Sequence, residues 1–275
     1  MSASAETPAI RLRGVSKSFG EKKVLIGLDL EVRKGESLVL LGQSGIGKSV
    51  LLKHVIGLLK PDSGTVELYG KNLWAVPSRE RDELRRKFGM SFQEGALFDS
   101  MSVGENIAFP LTRHTKKSKQ EIADRVAECL DLVRLPGIEE KRPSELSGGM
   151  KRRVGFARAI ALQPENLLFD EPTTGLDPVT TDVVVKVIEE MRKRLKPAAI
   201  TITHDLKVAF AIADRVGLLS DGKIYVEMAP KEFEQSKDPR VAAFVTGNSE
   251  LAPPEAEPER RTGTGREEKA REAHV

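Results

Sequence analysis

A chain of 275 residues with 39% hydrophobic content is long enough to bury one large core or two modest ones. Its 44 basic and 41 acidic side chains leave a net charge of +3, which excludes a strong field toward nucleic acid or anionic lipid as the main partner. The one cysteine, Cys129, excludes an internal disulfide, and no apolar run reaches the roughly 18 residues of a membrane span. Residues 1–6 lack a signal-peptide core, so a cytoplasmic location is expected, with any membrane role reached through a partner.

In chain order, residues 10–15 alternate as a half-buried strand and residues 24–32 carry a second, with Ser16-Lys17-Ser18-Phe19-Gly20 as the loop between them. The apolar run Leu38-Val39-Leu40-Leu41 breaks into Gly42-Gln43-Ser44-Gly45-Ile46-Gly47-Lys48-Ser49, and residues 50–56 continue as a helix. Residues 60–64 form a turn and residues 65–69 a strand, Trp74 is a packed loop residue, and residues 78–87 make a charged, solvated helix. Residues 88–92 form a short strand that stops at Gln93. From there to about Gln163 the pattern turns helical, over residues 102–108 and 119–133, the latter placing Ile122, Val126, Cys129, Leu130 and Val133 on one face. This stretch is a helical insertion in an α/β domain, and Cys129 in it is a buried spectator. It ends at Leu146-Ser147-Gly148-Gly149-Met150 and a further helix. Residues 166–169 are a buried strand delivering Asp170 and Glu171, residues 182–195 an amphipathic helix, and residues 198–203 a strand ending at His204. A helix over residues 206–213 and a hairpin turning at Asp221-Gly222 follow. From about Gly247 large apolar residues almost vanish, the composition of a disordered tail.

Gly42 to Ser49 fit the pattern G-x-x-x-x-G-K-[ST] between a strand and a helix. Glycines let the backbone curl so that several N–H groups converge on one anion, and the helix N-terminus adds partial positive charge there. Lys48 is placed to reach the β- and γ-phosphates of a nucleoside triphosphate and Ser49 to hold Mg²⁺. Asp170, ending an apolar strand, suits a Mg²⁺ carboxylate acting through waters, and Glu171 suits a general base for the attacking water. Gln93 at a strand end either meets the same water or metal or is an ordinary surface residue; His204 either hydrogen-bonds the γ-phosphate or is structural. Ser147-Gly148-Gly149 at a helix start is a second anion-binding corner. One active site does not need two such corners, whereas two copies of the chain, head to tail about a two-fold axis, would place each phosphate loop opposite the other copy's corner across an ATP.

With these motifs in this order, residues 8–246 resemble the ATP-binding subunit of an ABC transporter. The resemblance implies a P-loop NTPase fold of the ABC ATPase type: a RecA-like parallel-sheet core with an antiparallel β subdomain, the helical subdomain at about residues 94–163 inserted in the core, and residues 247–275 as the tail. It implies that Phe19 stacks on adenine and that Gly42, Gln43, Ser44, Gly45, Ile46, Gly47, Lys48, Ser49 and Val50 surround the phosphates. By the same likeness Gln93 is the Q-loop glutamine, Ser147 to Gly149 the signature, Asp170 and Glu171 the Walker B pair, Asp177 the D-loop aspartate and His204 the switch histidine. ATP and Mg²⁺ are the implied cofactors, with Lys48, Gln93, Glu171 and His204 serving hydrolysis and Ser49, Gln93 and Asp170 the metal. Two departures stand out: Val50 replaces the family's usual second hydroxyl, and Met150 the common Gln of the signature. Neither removes a group needed for hydrolysis, so an active enzyme is expected.

Within the family, the stretches 48–54, 93–106 and 146–150 are similar to ATPases of the Mla/Mce type, which serve phospholipid transport that maintains outer-membrane lipid asymmetry, or Mce-type lipid and sterol uptake. That likeness implies a homodimer across two ATP sites, integral membrane permease subunits, an MCE-domain lipid-binding protein, no nucleic acid, and a place on the cytoplasmic side of the inner membrane held through the permease. Ala96, Leu97, Phe98 and Met101 mark residues 94–101 as the permease-facing segment, unless they fold back into the insertion's own core. Three other readings compete: a transporter ATPase with an amino-acid or lipoprotein cargo, a soluble ABC ATPase acting on ribosomes or DNA, and a regulatory subunit that no longer hydrolyses. Intact Lys48, Asp170, Glu171 and His204 argue against the last, and the chain lacks the second cassette or long coiled-coil insertion of the soluble type.

Overall fold

The computed structural model describes residues 7–248. β1 (Ile10–Phe19) and β2 (Lys22–Val32) pair antiparallel from Ile10 with Val32 to Phe19 with Lys22. The sequence pattern ends the first strand near Val15; the strand instead continues to Phe19 through a series of register shifts. Side chains supply the bonds that these bulges interrupt. Gly14, at φ 58°, gives its N–H to Asp29 Oδ1 at 2.8 Å, and Ser16 Oγ accepts the N–H of Gly27 at 2.8 Å.

β3 (Ser37–Leu41) is buried throughout and runs into α1 (Lys48–Val55). β4 (Ser63–Leu68) and β5 (Lys71–Asn72) complete an antiparallel sheet ordered β2-β1-β4-β5. α2 (Ser78–Arg85) buries Leu84 and leaves most of its charges solvated, and β6 (Phe88–Ser91) follows. Next come α3 (Val103–His114), α4 (Lys119–Leu132) and α5 (Gly148–Ile160), then β7 (Asn166–Asp170), α6 (Pro178–Leu195), β8 (Ala198–Ile202) and α7 (Leu206–Ile212). β9 (Arg215–Ser220), β10 (Lys223–Met228) and α8 (Pro230–Glu234) end the first of two units. The second begins at Gln235 and holds α9 (Pro239–Thr246), whose first N–H groups are capped by Asp238. The tail expected beyond Gly247 lies, from residue 249 on, outside the described residues.

The larger sheet is ordered β10-β9-β3-β8-β7-β6, parallel from β9 to β6 with β10 antiparallel at its edge. β3 and β8 are buried along their whole length, as strands covered on both faces must be. Their register places Leu40, Asp170 and Ile202 level with one another, so the loops leaving β3, β7 and β8 share one crevice at the C-terminal edge.

α3 and α4 each begin with a reciprocal capping box, Ser102 with Glu105 and Ser118 with Glu121. Where the pattern stops the first of these helices at Ala108, it runs on to His114 through Pro110. A proline inside a helix costs about 3 kcal/mol, but Val103, Ile107 and Leu111 fall on one buried stripe. Of these only Leu111 lies beyond the proline, and its burial contributes about 1.5–3 kcal/mol, comparable with that cost. Cys129 is buried in α4 and burial pushes its thiol up to about 11, the behaviour of an inert core residue. Among the described residues no helix is long and apolar enough to cross a membrane.

Candidate nucleotide site

The loop from Gly42 to Gly47 joins β3 to α1 and is braced from the side by β2. Gly47 has φ 111°, and a Cβ built on it would stand 2.8 Å from Val24 Cγ1, so the residue must be glycine both for its backbone angle and for its neighbour. Gln43, Ser44 and Gly45 are exposed at the rim, while Ile46 and Val50 pack half-buried against the core. α1 begins with no side-chain cap and no acidic residue in its first turn, which leaves its N–H groups and partial positive charge for an anion. Lys48 is buried at that first turn. Its Nζ donates to the carbonyls of Gly42 at 2.5 Å and Gln43 at 3.0 Å, and lies 3.5 Å from Glu171 Oε1.

β7 brings two carboxylates to the same crevice. Ser49 Oγ is 3.2 Å from Asp170 Oδ1, and burial holds the Asp170 carboxyl above the usual carboxylate range against the opposing pull of that hydrogen bond. Glu171 Oε2 accepts from Thr174 Oγ1 at 2.8 Å and lies 2.9 Å from His204 Nδ1. His204 is fixed just past β8: the N–H of Thr203 donates to Leu40 O at 3.2 Å, and Asp205 caps α7 immediately after it. Glu171 thus gathers Lys48 and His204 around it, and the Ser49–Asp170 pair adjoins them through the chain.

The other expected residues stand around it. Gln93 is exposed and opens a short turn two residues past Ser91, the residue of β6 that pairs with Phe169 of β7. Phe19 ends β1 half-exposed, with Lys17 Nζ 5.6 Å from its ring centroid, on the hairpin whose Val24 touches Gly47. Ser147 caps α5 by accepting the N–H of Met150 at 3.3 Å, and with Gly148 it is exposed. Gly149 is buried against α6, where its Cβ would stand 2.2 Å from Thr180 Cγ2. Thr180 in turn donates its hydroxyl to Asp177 Oδ2 at 2.5 Å, which holds the Asp177 carboxyl below the usual range. Ser147 to Gly149 and Asp177 therefore form a second group, joined through Thr180.

Two arginines escaped the sequence reading. Arg152 is buried and donates to the carbonyls of Glu171, at 2.9 Å, and Thr174. Arg158 donates to the carbonyls of Gly95 at 2.9 Å and Ala96 at 2.8 Å and lies over the Phe98 ring, 5.5 Å from its centroid. Arg152 sits three residues after buried Gly149 and four before buried Phe156, so helical spacing placed it on the apolar face; that was the available signal.

A phosphate loop with a buried lysine, backed by two strand-end carboxylates in a parallel sheet, defines a P-loop nucleoside triphosphatase. Residues 25–174 match the ABC transporter family, and the chain belongs to it. It is an ABC transporter ATPase with the mixed α/β fold expected of one. The chain is 42% identical over 240 residues to a probable ribonucleotide transport ATP-binding protein of Mycobacterium leprae, covering 87% of this chain and 69% of that one. It is 38% identical over 241 residues to the intermembrane phospholipid transport system ATP-binding protein MlaF of Haemophilus influenzae, covering 88% and 91%. Among solved structures, the dimeric ATP-binding cassette MJ0796 bound to ADP and Pi matches with a TM-score of 0.74 at 30% identity, over 80% of this chain and 98% of that one. CbiO1 of Clostridium perfringens matches with a TM-score of 0.76 at 29% identity, over 86% and 95%.

Proposed function

We propose that this chain, as a cassette spanning residues 8–246 with its helical part at 94–163, hydrolyses ATP with Mg²⁺ in a two-chain site and powers a phospholipid-transporting permease. The observation that carries hydrolysis is the Glu171 carboxylate held between Lys48, Thr174 and His204. Backbone N–H groups of residues 43–48 and the Lys48 ammonium would bind the β- and γ-phosphates, and Glu171 would take the proton of the attacking water, with His204 beside the γ-phosphate. A γ-phosphate would compete with Glu171 for Lys48, freeing the carboxylate to act as base. Ser49 and Asp170 offer oxygen ligands of the type Mg²⁺ prefers, and a buried carboxyl raised by desolvation is stabilised by a cation beside it. Among the described residues no group of three or more His, Cys, Asp or Glu gathers to hold a metal, so phosphate oxygens and water would complete the shell. Bound there, Mg²⁺ would neutralise charge on the phosphates.

Ser147 and Gly148 are exposed at the start of a helix with no acid in its first turn, a second phosphate corner that a partner copy's ATP would fill. The MJ0796 cassette it resembles is dimeric. Toward the permease, the Phe98 ring is 43% exposed although Asn106 fixes its backbone, accepting its N–H at 2.8 Å and donating to its carbonyl at 3.1 Å. An apolar ring on a rigid loop suits a partner's helix. We place the complex on the cytoplasmic side of the inner membrane, with an MCE-domain lipid-binding protein and no nucleic acid. MlaF supports the phospholipid cargo, because it aligns over nearly its full length; ribonucleotide transport is the second reading, favoured by the 42% identity. The test is ATP-dependent transfer of a fluorescent phospholipid by the chain reconstituted with its permease in vesicles. Transfer that Glu171→Gln abolishes supports the proposal, and turnover stimulated by ribonucleotides but not phospholipid overturns the cargo.

A further inference from the structure

Glu171 sits at φ 47°, in the left-handed region that costs a residue with a Cβ about 1–2 kcal/mol. Its N–H is taken by Ile202 O at 2.9 Å, and its own carbonyl accepts from Arg152 Nη1 at 2.9 Å. The other arm of the same guanidinium reaches the carbonyl of Thr174, the residue whose hydroxyl holds the Glu171 carboxylate. Arg152 therefore clasps both ends of the four-residue turn Glu171–Thr174 that follows β7, with charge-assisted hydrogen bonds that are roughly twice as strong as neutral ones. It stands one helical turn from Gly149, whose backbone abuts Thr180 and through it Asp177.

We propose that Arg152 is a positioning residue for Glu171: its buried guanidinium ties the strained turn that aims the carboxylate to the helix beginning at the exposed Ser147-Gly148 corner. Seating that corner on a second subunit's nucleotide and aiming the base in its own subunit then become one motion. The inference rests on Glu171 being the general base.

The experiment measures steady-state ATPase rate and ATP affinity of the full chain carrying Arg152→Gln or Arg152→Lys, each alone and combined with Glu171→Gln. Arg152→Gln should lower kcat by about 10- to 100-fold, the effect of a small misplacement of a reacting group, while the Kd for ATP stays within about 3-fold because the phosphate loop is untouched. Arg152→Lys keeps the charge but loses the fork and should recover part of the rate. In the Glu171→Gln background either change should cost less than about 3-fold, since a residue acting through the carboxylate has nothing left to position. A kcat near wild type in Arg152→Gln, losses of kcat and ATP affinity in step, or losses that multiply in the double variant would overturn the proposal. If Arg152→Gln does not fold, the lysine variant in the two backgrounds decides by the same criteria. Full turnover in Glu171→Gln alone would fell the base assignment first; an inactive Glu171→Gln beside a fully active Arg152→Gln would fell only the role of Arg152.

Discussion

Gly149→Ala puts a methyl group where the fold has no room for one. Its Cβ would lie 2.2 Å from Thr180 Cγ2, against about 3.5–4.0 Å for carbon atoms in good contact. Either α5 and α6 move apart by more than an ångström, or Thr180 turns and releases Asp177, whose carboxylate it holds at 2.5 Å. Overpacking costs about 1–3 kcal/mol, with so close an approach at the upper end of that range, and replacing a helical glycine by alanine returns about 0.5–1 kcal/mol, so a net loss of about 1–2 kcal/mol is expected. For a chain of this size that lowers Tm by about 2–8 °C in a calorimetric scan, with a matching fall in ATPase rate. Gly148→Ala is the contrast: its Cβ would meet Leu176 Cδ2 at an ordinary 3.7 Å, so Tm should hold or rise. The double variant Gly149→Ala/Thr180→Ser removes the clashing methyl, keeps the hydroxyl on Asp177, and leaves Thr180 Cβ at 3.7 Å as the next contact, so most of the lost Tm should return. An unshifted Tm in Gly149→Ala, or a double variant no more stable than the single one, refutes the steric account.

Burial raises Asp170 above its ordinary 3.8, so its charged form opposes folding once the pH exceeds the raised value, and that cost vanishes below 3.8. In EDTA, Asp170→Asn should therefore gain stability relative to wild type as pH rises from 4 to 7 in denaturant titrations; a pH-independent difference contradicts the assignment. Glu171→Gln should bind ATP nearly as well as wild type yet turn over about 10²–10⁴-fold more slowly, and trapped ATP should double the mass seen by light scattering; unchanged turnover would sink the role. Mixing Ser147→Arg with Lys48→Ala subunits creates heterodimers with one doubly damaged and one intact site, so partial recovery of ATPase above either parent is expected, and full activity of Ser147→Arg alone would refute the two-chain site. Replacing Leu97 and Phe98 by Asp should abolish co-purification with the permease while ATP binding survives, because Asn106 holds the loop by its backbone; retained co-purification would move the interface elsewhere.

The phosphate loop, the strand-end carboxylates and the parallel sheet were legible because each is written locally: an apolar run, a glycine pattern, a charged pair. What the sequence hid was non-local. Phe19 reads as a loop residue because the bulges that extend β1 depend on Asp29 and Ser16 reaching across to backbone groups of another stretch. The helical spacing reads only to Ala108 because the burial of Leu111, on the stretch that runs on to His114, is judged only once its partners are in place. Arg152, on the apolar face of α5, and Arg158, further along the same helix, have partners that are distant in sequence or across a turn, and only the folded chain brings their guanidinium groups onto carbonyls of Glu171, Thr174, Gly95 and Ala96.

The strained φ of Glu171 was equally hidden, and it resolves a difficulty that adjacency in sequence creates. In an extended strand successive side chains point to opposite faces, so Asp170 and Glu171 continued as strand could not both face one nucleotide. The left-handed step at Glu171 breaks that alternation: Asp170 meets Ser49, while Glu171 swings to Lys48, Thr174 and His204 in the same crevice. A glycine would adopt the angle without cost but would carry no carboxylate. The site therefore keeps a residue with a Cβ in an unfavourable conformation and holds it from both backbone ends, by Ile202 O on the N–H and Arg152 on the carbonyl. Loosening either hold should relax the backbone toward the extended form and swing the Glu171 carboxylate away from Lys48, Thr174 and His204, so sensitivity to substitution should extend from Glu171 itself to the residues that keep it bent.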